Sequence, residues 1–204
     1  MMPAGHAVTR AGSAALLAPA LIAASAIGHA TAGPTAPGPT IVTVGDRPAA
    51  IATGFTVGSD RVVTVAHVLG SAAVTVRGAD GVARRATVLR REAALDLALL
   101  HVPGLRPAPA AVRAGTRVLV RRDDRMSALP ARVVRRVTAR VRSAGTPGAE
   151  RRPALELAFA SAPGDSGAPV VEHGRVTGVV FARSRGRPGV AYAVDGSVLE
   201  RLLR

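Results

Sequence analysis

Short runs of Val, Ala, Leu and Ile recur along the chain from Ile41 onward, each closed by Gly, Asp, Ser or Pro. Runs this short, bounded by turn formers, predict strands rather than helices. The expected strands are 41–44, 50–57, 62–66, 73–77, 83–90 and 97–102, then 116–121, 130–141, 154–159, 169–172, 175–181 and 190–194. Gly58-Ser59-Asp60, Gly78-Ala79-Asp80-Gly81 and His173-Gly174 mark turns between them. Val133, Val137 and Val141 also fit a helical period, but the alternation of Val137, Ala139 and Val141 with Arg and Thr favours a strand. One helix is expected, at 197–204. Asp195 or Ser197 can cap it, and Val198, Leu199, Leu202 and Leu203 share a face.

The proline-rich stretch Pro103 to Gly115 divides these strands into two sets. Two sets of about six strands without helices between them predict an all-β protein of two small barrels, 41–102 and 116–196, joined by a linker at 103–115. A parallel α/β fold would need a helix after most strands.

Residues 1–32 differ from the rest. Arg10 precedes the apolar stretch Ala11 to Ile27, and Ala30-Thr31-Ala32 then offers small residues at a cleavage position. This is the layout of a secretory signal peptide, which places the mature chain in the secreted, envelope or periplasmic space. The rival reading is an uncleaved anchor, and only then would a membrane be a partner. Against it, the run falls short of the ~20 residues a span needs. Residues 33–40 read as a flexible lead-in.

Composition narrows the chemistry. Cysteine is absent, so disulfides and thiolate metal sites are excluded. No spacing of metal ligands appears, and no metal or cofactor is expected. The formal charge of +14 is carried by arginine without any lysine, a compositional bias more than a binding signal. The arginines are scattered, without interleaved aromatics on which bases could stack, so nucleic acid is not expected as a partner.

Three segments carry the candidate chemistry. Gly164-Asp165-Ser166-Gly167 follows Pro163 and precedes Pro169-Val170-Val171. The glycines allow a sharp turn that projects a serine hydroxyl, and Gly164 and Ser166 can aim two backbone N–H groups at one spot. His67 ends the run Val62 to Ala66, and Asp96 lies inside the apolar run Ala93 to Leu100. A carboxylate there is costly without a partner. Serine needs a base to take its proton, histidine is that base, and a carboxylate fixes the imidazole tautomer. The order His, Asp, Ser excludes an α/β hydrolase, whose order is Ser, acid, His. His101 and His173 lie in a strand and a turn without such company.

Over roughly residues 41–196 the chain resembles the trypsin-like (chymotrypsin-fold) serine peptidases. The resemblance rests on Thr53-Gly54-Phe55 through Thr64-Val65-Ala66-His67, on Asp96-Leu97-Ala98-Leu99-Leu100, and on Gly164-Asp165-Ser166-Gly167-Ala168-Pro169-Val170. Gly178 to Ala182 and Gly189 to Val194 look like the strands that follow. It is nearest to compact, disulfide-free bacterial members, the HtrA-type and actinobacterial acid-resistance proteases, here without a PDZ domain. The resemblance implies two antiparallel Greek-key barrels with the active site in the cleft between them and a short C-terminal helix. It also implies His67 as base, Asp96 as its orienter, Ser166 as nucleophile, and Gly164 with Ser166 as oxyanion hole. Ala160 and Ser161 would form the base of the primary pocket, with Phe181, Ala182 and Arg183 on one wall and Gly189 and Val190 on another. No carboxylate falls among these, so cleavage after small or medium apolar residues is expected. If Arg183 turns inward, acidic residues are favoured instead. Two departures stand out: Ala168 replaces a glycine, and Phe181 stands where many members have a serine that supports the aspartate.

The expected function is therefore a secreted serine endopeptidase, a monomer whose partner is a protein or peptide substrate. The alternatives are an inactive binding protein on the same fold and an arginine-rich binder of polyanions.

Overall fold

The computed structural model describes residues 35–45, 51–70, 74–122, 124–141 and 150–204. The segment 1–32 read as a signal peptide lies outside them.

The first barrel uses β2 (Ile41–Val44), β3 (Ala52–Thr56), β4 (Arg61–Val65), β5 (Val74–Arg77), β6 (Ala83–Glu92) and β7 (Leu97–His101), which follow β1 (Thr35–Pro37). The order β2-β3-β4-β7-β6-β5 closes on itself because β5 pairs back onto β2, Val76 opposite Val44. Its interior is aliphatic around a single Phe55. A β-bulge between Val88 and Arg90 shortens the register and turns Leu89 out to solvent.

The second half contains β8 (Ala111–Arg113), β9 (Arg117–Arg122), β10 (Arg125–Pro130), β11 (Arg132–Val141), β12 (Glu150–Ala158), β13 (Pro169–Glu172), β14 (Arg175–Arg183) and β15 (Val190–Asp195). Seven of these form one antiparallel sheet, β10-β9-β13-β14-β15-β12-β11. Ala131 alone separates β10 from β11, the two edges of that sheet. The edges are therefore one bent strand, and the sheet wraps into a second barrel. With the bent strand counted once, both barrels share one neighbour order: first, second, third, sixth, fifth, fourth, and back to the first. The fourth strand returning beside the first is the Greek key.

Strand alternation explains how the halves join. On β9, Val118 and Val120 face the second barrel's own core while Leu119 belongs to the cluster continuous with the first barrel. Leu155 and Leu157 against Ala154 on β12, and Val180 against Val179 and Phe181 on β14, divide in the same way. The period of two thus serves both an internal core and an inter-barrel interface. The chain then turns through Gly196–Val198 into helix α1 (Leu199–Leu203), with the Asp195 carboxylate accepting from Ser197 N at 3.0 Å. Leu199 and Leu202 are buried in the first barrel's cluster, whereas Leu203 is exposed.

Three strands differ from expectation. β1 and β8 pair with each other, Ala36 opposite Val112, in the stretches read as a lead-in and a linker. Strands of three residues carrying or flanked by prolines are too short to show alternation. β10 escaped because Arg and Ser interrupt its apolar positions.

Candidate active site

The register between β4 and β7 places the first two residues. Val65 lies opposite Leu97, which sets Asp96 beside the 3-10 turn Ala66–Val68 that carries His67. Asp96 caps its own 3-10 turn, Ala93–Leu95, at φ 58°. Asp is one of the few side chains that tolerate this left-handed conformation. The aspartate then grips the histidine segment at three points. Its carbonyl accepts from Ala66 N at 2.9 Å, Oδ1 accepts from His67 N at 2.9 Å, and Oδ2 meets His67 Nδ1 at 2.7 Å. The pairing leaves Nε2 as the ring nitrogen free to take a proton. The Asp96 side chain is 10% exposed and that of His67 43%.

The serine loop belongs to the second barrel yet docks on the first. Thr53 N donates to Ser166 O at 2.8 Å, Thr53 Oγ1 donates to Gly164 O at 2.9 Å, and Thr64 Oγ1 donates to Thr53 O at 2.8 Å. Gly167 makes this approach feasible. A Cβ there would lie 2.0 Å from Thr53 O, and its φ is +86°. Gly164, at φ +93°, has open space where a side chain would be. Asp165 N and Gly167 N donate to Ala162 O and Val180 O. Gly164 N and Ser166 N find no acceptor among the described residues. Two N–H groups on one turn thus remain free to meet an oxyanion. Among the described residues no hydrogen bond joins Ser166 Oγ to the imidazole.

Asp165 holds the loop from behind. It is fully buried, and its carboxylate accepts from Arg122 Nε at 2.9 Å, from Arg122 Nη2 at 2.5 Å and from Ala162 N at 2.8 Å. The bidentate pair raises the affinity of Arg122 for its proton above the ordinary value. The Ala168 methyl is buried in the second barrel's core, so this departure from the usual glycine points into packing.

The Phe181 departure has a different consequence. Its ring is buried, and the Arg152 guanidinium lies over it, 5.2 Å from the centroid. Arg152 Nη1 stands 3.6 Å from Asp96 Oδ2, and Nη2 donates to Glu150 Oε2 at 3.1 Å. Arg152 has no exposed surface, and its Nε and Nη1 lack hydrogen-bond partners among the described residues. A buried cation from the second barrel therefore backs the carboxylate of the first.

The residues expected at the primary pocket divide between two adjoining spaces. Ala160, Ser161, Arg183, Gly189 and Val190 line a cavity of about 590 Å³. Phe181 and Ala182 line a groove of about 920 Å³ over β11, which shares Arg183, Arg185 and Arg187 with that cavity. In the groove, Glu156 is held by Arg187 at 3.0 Å from both oxygens and by Arg135 at 3.1 Å. These arginines, Arg187 foremost, keep its carboxyl below the usual range. The Tyr192 hydroxyl accepts from Arg187 at 2.6 Å.

Arg122, Arg152, Thr53 and Thr64 were not visible as site residues from the sequence. One signal was available: Glu150, Arg152 and Glu156 alternate onto one face of the strand. Charges on a buried face need partners: Arg152 meets Asp96 across the interface, while Arg135 and Arg187 of the same barrel pair Glu156.

A family model described as trypsin-like peptidase domain matches residues 52–179. No curated protein matches the chain. Among solved structures, the active form of the Rv3671c protease from M. tuberculosis is 30% identical, with a TM-score of 0.70, over 81% of this chain and 80% of that one. An inactive form of the same protease is 28% identical, with a TM-score of 0.68, over 80% and 87%. The MamO protease domain from Magnetospirillum magneticum shares the fold, at 19% identity and a TM-score of 0.66 over 81% and 96%.

Proposed function

The chain belongs to the trypsin-like peptidase family, and from that premise we propose that it is a secreted serine endopeptidase acting through His67, Asp96 and Ser166. One observation carries the reading. The carboxylate of Asp96 clamps His67 by backbone and ring together, at 2.9 and 2.7 Å, while Thr53 pins the serine loop against the same barrel.

In this reading Ser166 Oγ attacks the scissile carbonyl and His67 Nε2 takes its proton. Asp96 holds the tautomer and stabilises the imidazolium. The tetrahedral oxyanion sits between the free N–H groups of Gly164 and Ser166, each worth about 2.7–4 kcal/mol when well placed. His67 returns the proton to the leaving amine, and water then hydrolyses the acyl-enzyme by the same route. A hydrogen bond from Ser166 to the imidazole forms when substrate fills the cleft, as is common for catalytic contacts. Among the described residues the spaces beside the site hold no free carboxylate, so substrate Arg or Lys would enter unpaired. Export follows from the signal-like segment at 1–32, and N-terminal sequencing of material outside the cytoplasm checks it.

A fluorophosphonate probe tests the central claim. It is expected to label the unsubstituted chain and to leave Ser166→Ala unlabelled, with both variants melting at the same temperature. Labelling that survives Ser166→Ala places the nucleophile elsewhere.

A further inference from the structure

The cavity and the groove beside the candidate site are walled by guanidinium groups. Arg183, Arg185 and Arg187 line both, and Arg135 and Arg140 line the groove. Among the described residues Glu156 is the one carboxylate on either wall, and Arg187 and Arg135 already occupy it. Arg183, Arg185 and Arg140 are exposed and form no ion pair among the described residues. The remaining surfaces of the cavity are uncharged: Ala160, Ser161, Ser184, Pro188, Gly189 and Val190.

We propose that this cleft selects acidic substrate segments, with Asp or Glu beside the scissile bond held by Arg183 and Arg185. The assignment rests on the serine-peptidase reading for its geometry, since Ala160 and Ser161 run directly into the serine loop. Its chemistry rests on charge alone. A carboxylate entering the cavity meets planar donors that are not already engaged, the geometry best suited to bidentate pairing. An apolar side chain would leave those guanidiniums facing a surface that cannot pair them. The expectation of apolar cleavage drawn from the sequence counted Arg183 alone; the fold adds Arg185 and Arg187 to the same wall. A nucleic acid fits less well. Phe181 is buried, which leaves Tyr192 as the one accessible aromatic ring among the described groove residues, whereas single-stranded nucleic acid binds on several successive stacking rings.

Binding separates this proposal from catalysis. The full chain carrying Ser166→Ala is titrated into two fluorescein-labelled peptides of alanine, serine and valine, identical except for a Glu-Glu or a Gln-Gln pair. The Glu peptide is expected to bind about tenfold more tightly, and the advantage shrinks when salt rises and screens the pair. Adding Arg183→Gln with Arg185→Gln removes the advantage. Arg113→Gln with Arg175→Gln removes equal charge elsewhere, Arg175 lying about 25 Å along β14 from Arg183, and leaves the advantage intact. Equal affinity for the two peptides overturns the proposal, as does equal weakening by both double variants. Displacement of the Glu peptide by a single-stranded oligonucleotide of equal charge at lower concentration overturns it in favour of nucleic acid. Fluorophosphonate labelling of the unsubstituted chain reports the nucleophile separately. Labelling without a peptide preference defeats the acidic assignment alone. A preference without labelling leaves an acidic-peptide cleft on a chain that is not a serine enzyme.

Discussion

Replacing Arg152 by methionine separates stability from catalysis. The guanidinium is fully buried and stands 3.6 Å from the Asp96 carboxylate. At an effective dielectric of ~20, that attraction amounts to about 4–5 kcal/mol. Against it stands the cost of burying a cation, several kcal/mol. Nε and Nη1 have no hydrogen-bond partner among the described residues, which costs roughly 1–3 kcal/mol for each unsatisfied group. On these figures the costs of burial equal or exceed the attraction, so the pair adds little net stability. Methionine fills similar space over Phe181 and removes both unsatisfied nitrogens, and Glu150 is exposed enough at 26% to rehydrate. Arg152→Met is therefore expected to change unfolding free energy by less than about 2 kcal/mol in either direction.

Activity should not be spared. Among the described residues Asp96 loses the only cation fixed behind it, and the contact that ties it to the second barrel goes with it. A carboxylate free to swing by a fraction of an ångström orients the imidazole less well, and misplacements of that kind cost ten- to hundredfold in rate. Urea unfolding gives the first quantity; kcat/KM on a peptide substrate, with the rate of fluorophosphonate labelling, gives the second. Arg152→Lys, which keeps charge without the planar fork, should fall between. A loss above about 4 kcal/mol with normal labelling by the folded fraction would make Arg152 a structural residue only, and an unchanged rate would refute the positioning role.

Three further outcomes follow from the site. Arg122→Ala strands the buried Asp165 carboxylate with one remaining hydrogen bond, from Ala162 N, and is expected to cost about 2–4 kcal/mol by urea unfolding. Labelling of Ser166 should fall at least as steeply, since the loop loses its anchor, and normal labelling would show that the loop holds its shape unaided. Gly167→Ala should abolish labelling, because its methyl meets Thr53 O at 2.0 Å; Gly164→Ala, with open space around it, should carry only the left-handed strain of about 1–2 kcal/mol. Equal effects of the two would contradict the docking geometry. Glu156 has a native carboxyl held below its ordinary value of 4.5 by Arg187 and Arg135, so the unfolded chain takes up the proton first on acidification. Its stabilisation is full above pH 4.5 and is lost as the pH falls through the lower native value; melting temperatures of the unsubstituted chain and Glu156→Gln should converge there, and a pH-independent gap would mean that the ion pairs add nothing.

The elements legible in the sequence are those whose chemistry is local. Ile41–Val44 and Pro169–Glu172 coincide with their expected bounds because apolar runs end at turn formers. Asp96 was legible because a lone charge in an apolar run needs a partner, and His67 lies within 2.7 Å of it. Thr53 was not, because nothing in Ala52-Thr53-Gly54 distinguishes a threonine that docks a distant loop from one that pairs in a strand. The Arg122–Asp165 pair spans the second barrel, between residues whose neighbours are equally charged or equally turn-like. Arg151-Arg152 reads as two solvated charges, and only the pleat of β12 shows that one is exposed and the other fully buried.

That pleat also accounts for why the site needs both barrels. Each barrel fills its interior mainly with aliphatic side chains. The polar chemistry lies on the outward faces, where the barrels meet. The first barrel supplies Asp96 and His67, with Arg152 of the second behind the carboxylate. The second supplies the serine loop, with Thr53 of the first beneath it. Neither half of the constellation is complete within its own barrel. A charge such as Arg152 is tolerable at this seam, because Asp96, Glu150 and Phe181 surround it from both sides, and it would be prohibitive inside either core. The duplicated strand order therefore does more than repeat a fold. It generates a shared face on which buried polar groups from one copy satisfy those from the other, and the candidate site occupies that face.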